Sequence, residues 1–107
     1  MASSSQQIQN TKEIVEANDV DLLVTSSASD ILVAVKNLTA SRTISLPMAT
    51  TGYRQITVKD QSNSAGINTI TINVDGGATI DSGPPVVINI NNGVQHFYMN
   101  DFAWFTE

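Results

Sequence analysis

The sequence predicts an all-β protein: a small antiparallel β-sandwich or barrel, jelly-roll-like, with an extended N-terminal arm. Three observations lead there. Short apolar runs alternate with Thr, Ser and Asn at strand period. Gly, Asn, Asp and Pro punctuate those runs at close intervals. No amphipathic stretch is long enough to serve as a helix crossing between parallel strands. A chain of 107 residues holds one domain and one modest core. The expected division is an arm over 1–25 and a β domain over 26–107.

The elements follow in order. Residues 1–11 open on a Ser/Gln tract and are polar, so they are expected to order only against a partner. Residues 12–23 carry Ile14, Val15, Val20, Leu22 and Leu23, which fit neither the helical nor the strand period. Ile31 to Val35 is an apolar run of strand length. Arg42 to Leu46 alternates, with Ile44 and Leu46 on one face, and Pro47 stops it. Arg54 to Lys59 places Ile56 and Val58 inward. Thr69 to Val74 alternates most cleanly, with Ile70, Ile72 and Val74 opposite Thr69, Thr71 and Asn73. Val86 to Ile90, Val94 to Met99 and Phe102 to Phe105 complete the set. Asp75-Gly76-Gly77 and Asn92-Gly93 read as tight turns, and Asp81 to Pro85 as a rigid corner.

Ten acids against five bases give a net charge of −5. The bases Lys12, Lys36, Arg42, Arg54 and Lys59 are spread along the chain. Nucleic acid demands a concentrated positive footprint, so it is not an expected partner. No apolar run approaches the ~20 residues of a membrane span, so no membrane partner is expected. The first residues carry neither a basic nor an apolar signal region, which points to synthesis in a cytoplasm. The Asn37-Leu38-Thr39 sequon then has no role. With no Cys and a single His, thiolate and multi-histidine metal sites are excluded. No cofactor is expected.

The candidate sites are few. His96 lies on an expected strand with no nucleophile elbow in the chain, so a catalytic role is not expected. Asp60 to Gly66 resembles the start of a calcium loop. Its glycine falls one place late, and Thr71 stands where the bidentate Glu belongs. It reads instead as an Asx-rich hairpin loop. Asp75 and Asp81 flank a turn without the aromatics that line a sugar cleft. None of these makes an enzyme.

The aromatics carry more. Phe97, Tyr98, Phe102, Trp104 and Phe105 crowd the last eleven residues. Neighbours on a strand point to opposite faces. Phe97 and Tyr98 therefore split, as do Trp104 and Phe105, between the core and an exposed surface. Grouped exposed aromatics suggest a subunit interface, most simply in a symmetric homo-oligomer.

One resemblance adds to this. The pattern runs Ile44-Ser45-Leu46-Pro47, then Gly52-Tyr53-Arg54-Gln55-Ile56-Thr57-Val58-Lys59-Asp60. It continues through Ala65-Gly66, Asn68 and Ile70-Thr71-Ile72, then Gly77-Ala78-Thr79-Ile80-Asp81, and closes on Trp104. It departs at Ser82, where the pattern often has Gly. The ordered set resembles β modules of bacteriophage tail fibres, spikes and head-decoration proteins. The resemblance implies a trimeric structural module on a virion surface, with no catalytic residues to carry over. The short chain fits a capsid decoration, or cement, protein bridging subunits of the major capsid protein. Its expected capsid-binding arm includes Ile8, Ile14, Val15, Val20 and Leu22. The alternative is a tail-fibre, spike or head-fibre module that binds a host glycan or receptor.

Overall fold

The computed structural model describes residues 12–107. They form strands β1 (Glu13–Asn18), β2 (Leu22–Leu23), β3 (Asp30–Lys36), β4 (Arg42–Leu46), β5 (Tyr53–Asp60), β6 (Ile70–Val74), β7 (Val86–Ile88), β8 (Val94–Asn100) and β9 (Trp104–Thr106). A 3-10 turn, Asp75–Gly77, is the one helical piece among the described residues. The protein is all-β. Five strands make one sheet in the order β9-β8-β5-β3-β1, and four make a second in the order β2-β4-β6-β7.

The strands are not mainly antiparallel. β1 with β3, β3 with β5, β2 with β4, and β4 with β6 all pair in parallel. Only β5 with β8, β8 with β9, and β6 with β7 are antiparallel. The expectation of an antiparallel fold is corrected on this point, for a clear reason. A parallel pair needs a crossover, commonly a helix. Here each crossover is a strand of the opposite sheet. The chain lays one strand in the first sheet, crosses, lays one in the second, and returns. The first six strands thus wind as a coil whose successive turns stack in register.

Like residues fall on like. Val15 lies beside Val33, and Val33 beside Val58. Leu22 lies beside Ile44, and Ile44 beside Ile72. The turns differ in length. Ile31 stands 18 positions after its partner Glu13, and Ile56 stands 25 after Ile31. That inequality removes the fixed period by which a repeat is read from sequence.

The last three strands reverse and close the coil. The outer edge of β9 is covered, because Ile80 bridges Trp104 and the Asp81 N–H donates to the Trp104 carbonyl at 3.0 Å. An uncovered edge would template pairing with another chain.

One core lies between the sheets. The first sheet supplies Ile31, Val33, Val35, Ile56, Val58, Phe97, Met99 and Trp104, and the second supplies Ile44, Leu46, Ile70, Ile72, Val74 and Ile88. Each such side chain stabilises by roughly 1.5–3 kcal/mol when fully buried. Trp104 is buried with its polar edge satisfied: Nε1 donates to the Pro47 carbonyl at 2.8 Å.

The expected boundary after residue 25 falls inside the domain. β1 and β2 are the outermost described strands of the two sheets. Ala17 and Val24 are buried. The Val24 N–H donates to the Ser45 carbonyl at 3.0 Å. The Arg54 guanidinium, its pKa lowered by burial, holds the next loop through the Ser26 carbonyl at 2.6 Å and the Ala28 carbonyl at 2.9 Å. Residues 12–25 are therefore corrected from arm to sheet, because their apolar positions complete two ladders. Residues 1–11 lie outside the described residues.

Candidate functional site

The most distinctive surface is the outward face of the five-stranded sheet. Strand alternation divides the C-terminal aromatics. Phe97 and Trp104 enter the core. Tyr98 and Phe105 turn outward and are paired across the β8–β9 ladder. Tyr53, at the start of β5, joins them. The Tyr98 ring stacks on Phe105 at 5.3 Å between centroids, and on Tyr53 at 6.1 Å. Tyr53 is 53% exposed, so the row ends open to solvent. Phe102 is not part of this row. It sits 67% exposed in the tight turn between β8 and β9, at φ +67°.

The rest of the face is set by the register. Gln55 lies beside Tyr98, Asn100 beside Tyr53, and Thr57 beside His96. The Thr57 hydroxyl and His96 Nδ1 are hydrogen-bonded at 2.9 Å. Ile14 and Val94 add exposed aliphatic surface from β1 and β8. The three lysines, dispersed in sequence, all lie on this face, Lys12 at the opposite end of it from Lys36 and Lys59. Lys36 pairs with Glu16 at 2.8 Å and Lys12 with Asp30 at 3.3 Å. Lys59 donates to the Asn92 carbonyl. The two arginines are elsewhere: Arg42 pairs with Asp19 at 3.1 Å, and Arg54 is engaged with backbone. Thr39, through its N–H and hydroxyl, does most to hold the Asp19 carboxyl below its usual range, with Arg42 adding to it.

The other sequence candidates turn out to be structural. Asp60 is fully buried. Its carboxylate accepts from the N–H groups of Ser62 at 2.8 Å, Ser64 at 3.1 Å, Ala65 at 2.9 Å and Asn92 at 3.0 Å, and from the Ser62 hydroxyl. Burial pushes its pKa up. The donors of Ser62, Ala65 and Asn92 together outweigh that and lower it to about 2. All its oxygen lone pairs face donors, which suits a loop organiser. The loop is not a hairpin, as expected, but a crossover from β5 to β6. The Asp81 carboxylate accepts from the Thr106 N–H at 3.2 Å and from its hydroxyl, while Asp75 sits in the exposed 3-10 turn.

Two small cavities open on the surface. One of about 230 Å³ is lined by Val74, Ala78, Ile80 and Pro85 among others, and one of about 160 Å³ by Val87, Ile90, Val94 and Gln95 among others. No titratable side chain lines either. Among the described residues, no group of three His, Cys, Asp or Glu is arranged to hold a metal. The residues expected to contact a capsid divide. Ile14 and Val20 are about half exposed, Val15 and Leu22 pack on the core, and Ile8 lies outside the described residues.

No protein-family model and no curated protein matches the chain. The residues of the ordered pattern quoted from the sequence can be followed in the structure. Pro47 receives the Trp104 indole, so the two ends of the pattern meet. Arg54 and Asp60 pin loops. The Asn68 side chain donates to the Leu38 carbonyl at 3.3 Å. Ile56, Val58, Ile70, Ile72 and Ile80 fill the core. These residues serve the core and the loops that border it. Tyr53 is not legible as a site residue in the sequence, because only the pairing of β5 with β8 sets it beside Tyr98.

Proposed function

We propose that this chain is a bacteriophage capsid decoration, or cement, protein. In this reading it is a homotrimer on the outer surface of the assembled head. It bridges neighbouring subunits of the major capsid protein, needs no cofactor, and is made in the host bacterial cytoplasm. The observation that carries the reading is where the pattern residues go. From Pro47 to Trp104 they are spent on joining coil turns, which supports a rigid building block. The knob is jelly-roll-like only in enclosing one core between two sheets. Of the residues expected to touch a shell, Ile14 and Val20 are about half exposed among the described residues.

The test is co-sedimentation with emptied phage heads. Saturation at hundreds of copies per head is the expected result. Failure to bind heads refutes decoration. A second reading, a fibre or spike module that binds a host glycan, draws on the parallel stacking of turns, an architecture that extends by adding further turns. It expects only a few copies per particle.

A further inference from the structure

Two dipeptides of this chain set an Asp or Asn directly before a glycine, Asp75-Gly76 and Asn92-Gly93. No Cβ shields a glycine nitrogen, so it lies open to the carbonyl carbon of the preceding side chain. Bonding between the two closes a succinimide ring. By chemistry alone Asn92 is the more reactive, because an amide carbon is a better electrophile than an ionised carboxylate carbon. The fold reverses that order.

Asn92-Gly93 is held along both residues. The Asn92 N–H donates to the Asp60 carboxylate at 3.0 Å, its side-chain amide donates to Asn63 Oδ1 at 2.9 Å, and its carbonyl accepts from Lys59. The Gly93 N–H donates to the Ile90 carbonyl at 2.9 Å, and its carbonyl accepts from the Asp60 N–H at 2.9 Å. Attack by the Gly93 nitrogen requires several of these bonds to open together. Asp75-Gly76 is the opposite case. Asp75, Gly76 and Gly77 are all exposed. They make a single 3-10 turn, whose first N–H groups have no acceptor within it. Gly76 and Gly77 both lie at positive φ, +83° and +84°. Among the described residues no donor holds the Asp75 carboxylate.

We propose that Asp75 is a site of spontaneous covalent modification, isomerising to isoaspartate in the folded protein while Asn92 stays an amide. The Gly76 nitrogen bonds to Asp75 Cγ and gives up its proton, and a carboxyl oxygen leaves as water. Water then adds to the imide at the former main-chain carbonyl of Asp75. The bond from that carbon to the Gly76 nitrogen breaks, and the chain runs on through Cβ and Cγ. One water is lost and one is gained, so the mass is unchanged. The product adds a methylene to the link between β6 and Ala78, on the wall of the cavity of about 230 Å³.

The experiment is to age the full chain in warm neutral buffer, folded and in urea. Isoaspartate is counted with an isoaspartyl methyltransferase and a labelled methyl donor, and peptide mass spectra follow Asn92. In the folded protein, methyl-accepting sites should accumulate with time, and fragment ions should place them at residue 75. Asp75→Glu should lose that accumulation while melting as the parent does, because closure on the longer side chain forms a larger ring. The Asn92 peptide should gain mass in urea and not in the folded protein. Accumulation in Asp75→Glu equal to the parent's overturns the proposal. So does a folded parent that gains no isoaspartate while the chain in urea does. A mass gain at Asn92 in the folded protein overturns the reversed order.

Discussion

Asp60 shows how one buried acid organises a loop. Four backbone N–H groups and a hydroxyl converge on it from both sides of the sheet junction. Its folded pKa lies near 2, below the usual 3.8, so the unfolded chain takes up the proton first. The stability it contributes is complete above about pH 4 and is lost as pH falls towards 2, by about 2 kcal/mol in all. Asp60→Asn removes the charge and turns an amide towards those donors. It should destabilise by about 2–3 kcal/mol and flatten the acid limb of the stability curve. Urea titrations from pH 6 to about pH 2 check both points. An unchanged acid limb in the variant would show that another group sets it. Gly93 is a second residue-scale case. The sequence marks Asn92-Gly93 as a turn, and Asn92 has φ +60°. Gly93 is needed for another reason: a Cβ there would lie 2.6 Å from Ile88 Cγ2. Turn chemistry is legible from a dipeptide, whereas crowding from Ile88 is not.

At the scale of elements, the strands from residue 31 onward were readable and the pairing was not. Thr69 to Val74 declares its two faces by alternation alone, and Ile70, Ile72 and Val74 are buried as that pattern requires. Nothing in those six residues states that β4 lies beside them in parallel. β1 and β2 leave little trace in the sequence because an outermost strand buries few side chains. Glu13, Ile14, Glu16 and Asn18 are all exposed, so the apolar pattern is thin. Their ladders nonetheless matter. Deleting residues 1–25 removes both strands, Ala17 and Val24, and frees the carbonyl of Ser45. The truncated chain should lose several kcal/mol, on the scale of two or more buried aliphatic groups and a ladder, and be largely unfolded at 37 °C. Circular dichroism and a melting curve decide this. A truncated protein that melts like the parent would restore the independent arm.

At the scale of the molecule, the coil is closed on itself. An open array of stacked turns can fray one turn at a time. Here Trp104 donates to Pro47, Asp81 caps β9, and Asn92 reaches Asp60, so the final strands are tied to the earlier turns. Both sheets also share one core. Unfolding should be a single cooperative transition, with calorimetric and van't Hoff enthalpies equal. Two separated transitions, or a ratio well above one, would show that the first turn melts alone. Closure also fixes the rigid frame on which the aromatic and lysine face is displayed.

The sequence by itself determined the class of structure, because strand period, turn residues and the burial of one face are local properties of the chain. It likewise settled that Phe97 and Tyr98, and Trp104 and Phe105, face opposite ways, while the β8–β9 register decided that Phe97 and Trp104 are the ones that share the core. The tertiary structure alone decided that β1, β3 and β5 lie side by side. That depends on crossovers of unequal length, and on core contacts between residues 18 and 25 positions apart. The lysines belong to the same category. Lys12, Lys36 and Lys59 look dispersed along the chain, and they share one face because each turn of the coil returns the chain to the same sheet.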